Sequence, residues 1–296
     1  MIRYCLEDCV LKSNTKYKNI YINETNHSSI LNIYRLVSGT ANIRDNYDNK
    51  LYKVRENNIY FPTIINDSLK QQILLDGFDE SISLEDLDKY FKKAKNNKKF
   101  YDSLEIELIK CIIAYKKNSY LESFFYLYRI IEGISYSIPL IYISKKTDYK
   151  KTYGSLQLFF GKEKEGELQF FKKFISETFK DEDFFKSDIK IDLNIIENEE
   201  LREKYYGLYL AKINASNIID KDDNNYIKVK FIGYYDFIIE LRNRFFHNLK
   251  GTWADNFDST ELLYPDIFFK PIALHGLNWF SLILFEIIKF DLQKLK

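Results

Sequence analysis

The sequence has few of the residues that interrupt or cross-link a polypeptide. Only 10 glycines and 4 prolines occur in 296 residues, so helices meet few breakers. Three cysteines, Cys5, Cys9 and Cys111, form no disulfide framework and no Cys-x-x-Cys pair, which indicates free thiols in a reducing compartment. A metal site built from Cys5, Cys9 and His27 has no evident fourth ligand, and we expect neither a metal nor another cofactor.

An excess of one charge is also missing. The 44 Lys and Arg residues nearly balance the 43 Asp and Glu residues, and the formal net charge is +1. The surface as a whole therefore does not attract nucleic acid, and any binding of RNA or DNA must come from a local patch.

Targeting and membrane segments are not apparent. Glu7 and Asp8 interrupt the apolar character of the N-terminus, which argues against a signal peptide. No stretch reaches the roughly 18 uncharged residues of a transmembrane helix. We therefore expect a cytoplasmic protein that does not contact a membrane.

Aromatic residues are abundant, with 24 Tyr and 24 Phe, and the hydrophobic share of 46% is ordinary for a globular core. Apolar residues recur at helical spacing along most of the chain. Together with the scarcity of breakers, this pattern predicts a mainly α fold.

The first hundred residues differ from the rest. Segments 18–22 and 51–54 alternate as half-buried strands do, and segment 58–61 ends at Pro62. Ser83 is a plausible N-cap for a short helix that follows. Residues 1–100 are therefore predicted to form a small mixed α/β or β-rich unit, whose role the pattern does not indicate.

Residues 101–296 are predicted to form a helical domain. Short polar turns separate the helices, which favours an antiparallel bundle. The predicted helices span 103–115, 120–137, 166–181, 199–219 and 231–249, and the last begins at Pro271.

Residues 242–247, near the end of one predicted helix, read Arg-Asn-Arg-Phe-Phe-His. Arg242 offers a planar fork of donors that can clamp a phosphate. His247 can transfer a proton near neutral pH, and Asn243 directly follows the arginine. These groups suffice for metal-free phosphodiester chemistry; the alternative is an ordinary helix that ends in a solvent-facing histidine with arginine neighbours.

A helical wheel of the same segment shows one unusual position. Asp236, Glu240, Asn243 and His247 fall within about 60° of each other and form a polar stripe, whereas Arg242 lies in the apolar half. Because a lone buried charge is costly, Arg242 needs a carboxylate, a phosphate or an interface. Arg242 and His247 lie about 140° apart, so a second copy of the helix across a two-fold axis would most simply bring both groups to one groove.

An acidic residue upstream is a candidate partner. Glu132 lies in the segment Tyr-Arg-Ile-Ile-Glu-Gly at 128–133, which is otherwise densely apolar. It can pair with Arg129 on the helix surface, because the two residues are three positions apart. Alternatively, it orients Arg242 or His247 from a neighbouring helix.

Together these residues resemble the HEPN superfamily, whose signature is an arginine, four to six residues and a histidine, commonly with a polar residue directly after the arginine. Arg242, Asn243 and His247 match this signature position for position. The resemblance covers roughly residues 101–296, and the helix of Glu132 matches it only loosely. It implies an RNA-cleaving homodimer with the motif helices at the interface, similar to prokaryotic toxins and antiviral effectors. The catalytic residues so implied are Arg242, Asn243 and His247, supported by Glu132, Arg244, Asp236 and Glu240.

Our first hypothesis is therefore a metal-independent endoribonuclease, with Arg244 and the lysines within 92–99 and 145–151 contacting phosphates. A second is a non-catalytic HEPN-like binding or scaffold protein, and a third is a regulatory subunit whose N-terminal unit senses a ligand. RNA, a second copy of the chain and a regulatory partner protein are the expected partners. No Gly-rich phosphate loop, Ser-His-Asp order or zinc-ligand spacing supports another enzyme class.

Overall fold

The structure, a computed structural model, describes residues 3–23, 28–146, 148–160, 166–246, 256–257 and 260–293. It is 59% helical and contains small antiparallel sheets, which confirms the predicted mainly α class. The strands are β1 (Tyr4–Asp8), β2 (Ala41–Asp45), β3 (Lys50–Tyr52), β4 (Glu56–Asn57), β5 (Ile64–Ile65), β6 (Asp188–Asp192), β7 (Ile218–Asp222) and β8 (Tyr226–Lys230). The α-helices are α1 (Ser29–Val37), α2 (Leu84–Lys93), α3 (Lys98–Lys116), α4 (Tyr120–Ser144), α5 (Tyr149–Phe160), α6 (Glu167–Phe179), α7 (Asp183–Lys186), α8 (Glu199–Lys212), α9 (Phe231–Phe246) and α10 (Pro265–Gln293).

The chain forms two compact units. The first comprises Met1–Lys116 and Leu277–Lys296, and the second comprises Lys117–Gly276, so α10 contributes to both. These limits differ from the predicted ranges 1–100 and 101–296. Helix α3 packs against α1 and therefore belongs to the first unit, as does the second half of α10.

The first unit contains a three-stranded antiparallel sheet in the order β1-β2-β3, with α1 against β2. Arg35 of α1 is fully buried and donates to both carboxylate oxygens of Asp8, at 2.7 and 2.9 Å. Its other donors reach the carbonyl of Ile20 and two oxygens of Thr40. All five N–H groups are thus bonded, and the guanidinium joins the end of β1 to α1 and the start of β2.

Two strands predicted in this unit are wrong. Segments 18–22 and 58–61 are turns and bends. Some of their apolar side chains are buried, but among the described residues their backbones pair with no neighbouring strand. The strand predicted at 51–54 corresponds to β3, and the helix predicted after Ser83 is confirmed as α2. Ser83 caps it in a capping box with Asp86, each residue accepting from the backbone N–H of the other.

The second unit packs α4, α6, α8 and α9 together beside the antiparallel sheet β6-β8-β7. Helix α9 follows β8 directly in the chain, and its buried face carries Tyr234, Phe237 and Leu241. Gly276 allows α10 to approach α4, since a Cβ at this position would lie 2.0 Å from Cδ2 of the buried Leu127.

Several predicted boundaries in this unit are wrong. Residues 199–219 do not form one helix, because α8 ends at Lys212 and the chain enters β7 after a 3-10 turn capped by Asn214. Helix α4 continues through Pro139, where buried isoleucines on both sides hold it in place. Helix α10 begins at Pro265 rather than Pro271, consistent with the preference of proline for the first helical position.

Among the described helices, α10 alone is long and apolar enough to cross a membrane. Its most apolar window is 83% buried inside the protein, as expected for the core helix of a globular fold.

The buried ion pair of the first unit generates a prediction. Asp8→Asn leaves the Arg35 charge without a carboxylate in a site that excludes water, and should lower the free energy of unfolding by about 3–5 kcal/mol. Chemical denaturation followed by circular dichroism measures this loss. Glu80→Gln, at an exposed turn residue, is the control and should change stability by less than about 0.5 kcal/mol. Equal stability of the two variants would contradict the prediction.

Candidate functional site

Helices α9 and α4 bring four side chains together within the second unit. Arg242 and Asn243 lie near the described end of α9, and Tyr128 and Glu132 lie one turn apart on α4. We call these four residues the Arg242 cluster. It unites two of the three predicted catalytic residues with one of the predicted supporting residues.

The guanidinium of Arg242 is held on three sides. Its Nη2 donates to Oε1 of Glu132 at 2.9 Å, and its Nη1 donates to Oδ1 of Asn243 at 3.0 Å. The guanidinium carbon also lies 4.3 Å from the centroid of the Tyr128 ring, a cation–π contact. The carboxylate that the helical wheel required for Arg242 is therefore Glu132, contributed by the neighbouring helix.

The cluster is partly open to solvent. The Arg242 side chain is 19% exposed and that of Glu132 is 37% exposed. Only two of the five N–H groups of the guanidinium donate hydrogen bonds to other described residues. The remaining N–H groups belong to a cation whose position is already fixed, and they can donate hydrogen bonds to an anionic oxygen of a ligand.

Tyr128 acts as a neutral aromatic surface in this arrangement. Burial raises the pKa of its hydroxyl, the negative charge of Glu132 raises that pKa further, and the Arg242 cation opposes the change. The phenol therefore stays protonated near neutral pH. Its ring supports the guanidinium, and its hydroxyl is not a base at that pH.

The other predicted supporting residues form separate contacts. Asp236 accepts from Nζ of Lys172 on α6 at 2.8 Å and from Nδ2 of Asn217 at 3.0 Å. Arg244 donates to Glu240 at 2.7 Å, one turn earlier on α9. These three bonds position α9 and its surface charges, and none of them involves the Arg242 cluster.

His247, the third predicted catalytic residue, lies outside the described residues, as do the predicted helix extension to 249 and His27. The remaining histidine, His275 on α10, is close to Lys190 and Asp192 of β6. Burial lowers the pKa of its imidazole, while a hydrogen bond to the Lys190 backbone and the charge of Asp192 oppose the change.

The lysines proposed as phosphate contacts lie in two places. Those within 92–99 belong to the first unit, at the end of α2 and the start of α3. Those within 145–151 lie in the second unit, between α4 and the first turn of α5, where Lys151 forms a long ion pair with Asp148. In the described part of the chain, no group of three or more His, Cys, Asp and Glu side chains is arranged to hold a metal ion.

Sequence reasoning missed Tyr128 as a member of the site. The signal was present, because Tyr128 and Glu132 are four residues apart and therefore share one face of α4. An aromatic ring next to a carboxylate on one helix face is a suitable support for an arginine from another helix.

No protein-family model, curated protein or solved structure matches this chain.

A double-mutant cycle tests the ion pair. We expect Glu132→Gln and Arg242→Met to show a coupling energy of about 0.5–1 kcal/mol in denaturant unfolding, because the pair is partly exposed and its attraction is screened. Glu122→Gln, at an exposed position ten residues earlier on α4, provides the matched control cycle with Arg242→Met. Equal coupling in the two cycles would mean that Glu132 does not hold Arg242.

Proposed function

We propose that this protein is a metal-independent endoribonuclease with a HEPN-like helical domain, of the toxin or antiphage-defence type, acting in the cytoplasm as a homodimer. The observation that carries the proposal is the Arg242 cluster. It holds a cation in one position, leaves several of its donors unused by the described residues, and keeps it partly accessible to solvent. An arginine presented in this way is suited to a phosphate group.

In the proposed reaction, the 2′-oxygen of a ribose attacks the adjacent phosphorus, and the bond from phosphorus to the 5′-oxygen breaks. The products are a 2′,3′-cyclic phosphate and a 5′-hydroxyl. His247 takes the proton from the 2′-hydroxyl or gives one to the leaving 5′-oxygen, and its counterpart from the second copy supplies the complementary step. The nucleophile belongs to the substrate, so DNA, which lacks it, is not cleaved.

Arg242 binds the non-bridging phosphate oxygens and stabilises the negative charge that grows on them as phosphorus becomes five-coordinate. Glu132 and Tyr128 keep the guanidinium in place before substrate arrives, which reduces the reorganisation needed during the reaction. Asn243 accepts from Nη1 and so fixes the plane of the same guanidinium. Glu132 also lowers the net positive charge at the site, so we expect phosphate binding to be weak outside the transition state.

A non-catalytic role is the second candidate, and one observation favours it. Arg242 already has a carboxylate, an amide oxygen and an aromatic ring as partners inside the protein. Such a set satisfies an arginine that only joins α9 to α4. The protein would then be a HEPN-like scaffold, or a regulatory subunit of a defence complex, without nuclease activity.

RNA cleavage in EDTA distinguishes the two functions. Wild type should cut total RNA and leave cyclic-phosphate ends, while an all-deoxy substrate should stay intact. Arg242→Ala should reduce the rate by about 100- to 1000-fold, since it removes a donor to the developing charge. His247→Ala should reduce it by about 100-fold or more, since it removes the proton-transfer group.

Arg202→Ala is the matched control, because Arg202 lies on α8 of the same unit and pairs with Glu199 rather than with the cluster. It should cut as wild type does, and thermal unfolding should show that all variants are folded. Equal cutting by every variant would reject the assigned residues. Absence of cutting by folded wild type under all conditions would favour the scaffold.

A further inference from the structure

Helix α4 exposes one continuous stripe along its length, which we call the α4 stripe: Phe125, Arg129, Gly133, Tyr136 and Leu140. These residues recur every three or four positions and are all exposed. The exposed fractions are 39% for Phe125, 43% for Tyr136 and 48% for Leu140, large values for apolar or aromatic residues. The Tyr136 ring contacts Phe170 of α6, with 5.4 Å between centroids, and the Arg129 guanidinium lies 5.8 Å from the Phe125 ring centroid. The stripe nevertheless leaves much apolar surface open to solvent.

The stripe continues onto α9 at its Phe125 end. Phe246, which is 39% exposed, lies 5.8 Å from the Phe125 ring, centroid to centroid. Glu132 of the Arg242 cluster borders the middle of the stripe, next to Gly133. The exposed surface and the candidate site are thus adjacent on one face of the second unit.

Gly133 marks the centre of this surface. A Cβ added there would meet no atom within 4 Å, so neither local packing nor a tight turn requires glycine at this position. Glycine in a helix interior costs about 0.5–1 kcal/mol relative to alanine. A small residue in the middle of an exposed apolar stripe is suited to the close approach of another helix.

The residues of the stripe match those of a second copy that runs in the opposite direction. If two copies of α4 cross antiparallel with the two-fold axis between positions 132 and 133, Phe125 lies opposite Leu140 of the other copy. The same axis places Arg129 opposite Tyr136 and brings the two Gly133 residues together. Apolar groups then meet apolar groups, and each cation meets an aromatic ring.

We propose that the α4 stripe binds a second copy of this chain, with the two α4 helices antiparallel and crossing at Gly133. This deepens the proposed function and rests on it, because it states which surface forms the dimer. Glu132 lies beside the axis, so the crossing sets the two Arg242 clusters side by side, and a single phosphodiester can then reach groups from both copies.

Other occupants fit the stripe less well. An RNA strand requires a cationic surface, but the stripe carries one arginine and is flanked by Glu122 and Glu132. A membrane surface favours an apolar face bordered by several lysines or arginines, which this helix does not have. The reversed complementarity of the stripe specifies a partner with the same sequence.

Sedimentation equilibrium measures the proposed contact without reference to RNA. Wild type should dimerise, and Gly133→Lys should raise the dissociation constant at least about 100-fold, because it places a long charged side chain at the crossing point. Gly207→Lys is the matched control: Gly207 is an exposed glycine within α8, and a Cβ there also meets nothing within 4 Å. It should dimerise as wild type does, and thermal unfolding should be similar for both variants.

Disulfide trapping tests the antiparallel register. In a background carrying Cys5→Ser and Cys9→Ser, with Cys111 left buried, Gly133→Cys should form a covalent dimer under mild oxidation. Phe125→Cys and Leu140→Cys should each remain uncrosslinked alone and should form a mixed dimer when combined. Crosslinking of either variant with itself, and not with the other, would overturn the antiparallel arrangement.

The two proposals fail in different ways. A monomeric wild type, or a Gly133→Lys variant that dimerises normally, overturns the α4 interface whether or not RNA is cut. A dimer that is weakened by Gly133→Lys but never cuts RNA supports the interface and overturns the endoribonuclease.

Discussion

The ion pair between Arg242 and Glu132, supported by the ring of Tyr128, is the contact on which the candidate site depends. It connects α9 to α4 across 110 positions of sequence and fixes a cation on a helix face that is otherwise apolar. The packing of α4, α6 and α9 around it brings those helix faces together. Without Glu132 the partly buried guanidinium would lose the carboxylate that positions it, at a modest cost in stability because the pair is partly exposed.

Arg35 in the first unit shows what a purely structural arginine looks like in the same protein. It is fully buried, and all five of its N–H groups are bonded to Asp8, Ile20 and Thr40. Arg242 is 19% exposed and donates to two described residues. Both arginines are paired, but only Arg242 keeps donors within reach of a ligand. This difference in exposure and bonding is the physical basis of the proposed role in phosphate binding.

The exposed face of α4 lies beside the candidate site. Positions 128 and 132 face α9, while positions 125, 129, 133, 136 and 140 face solvent. One helix thus supplies the support for Arg242 and an exposed, largely apolar stripe beside it. A second copy bound on that surface would lie next to the candidate site, because Glu132 and Gly133 are adjacent on α4.

Residue pattern alone was sufficient for the mainly α class, for the N-cap at Ser83, and for the need of Arg242 for a partner, because periodicity, capping and the cost of a lone charge are local properties. Only the folded chain decided that Glu132 is that partner and that Tyr128 lies beneath the guanidinium, since both depend on how α4 packs on α9. The hairpin of β7 and β8, the continuation of α4 through Pro139 and the boundaries of the two units were likewise settled by contacts between residues distant in sequence. Packing energy, which acts over such distances, overrides the local preferences that a pattern reveals.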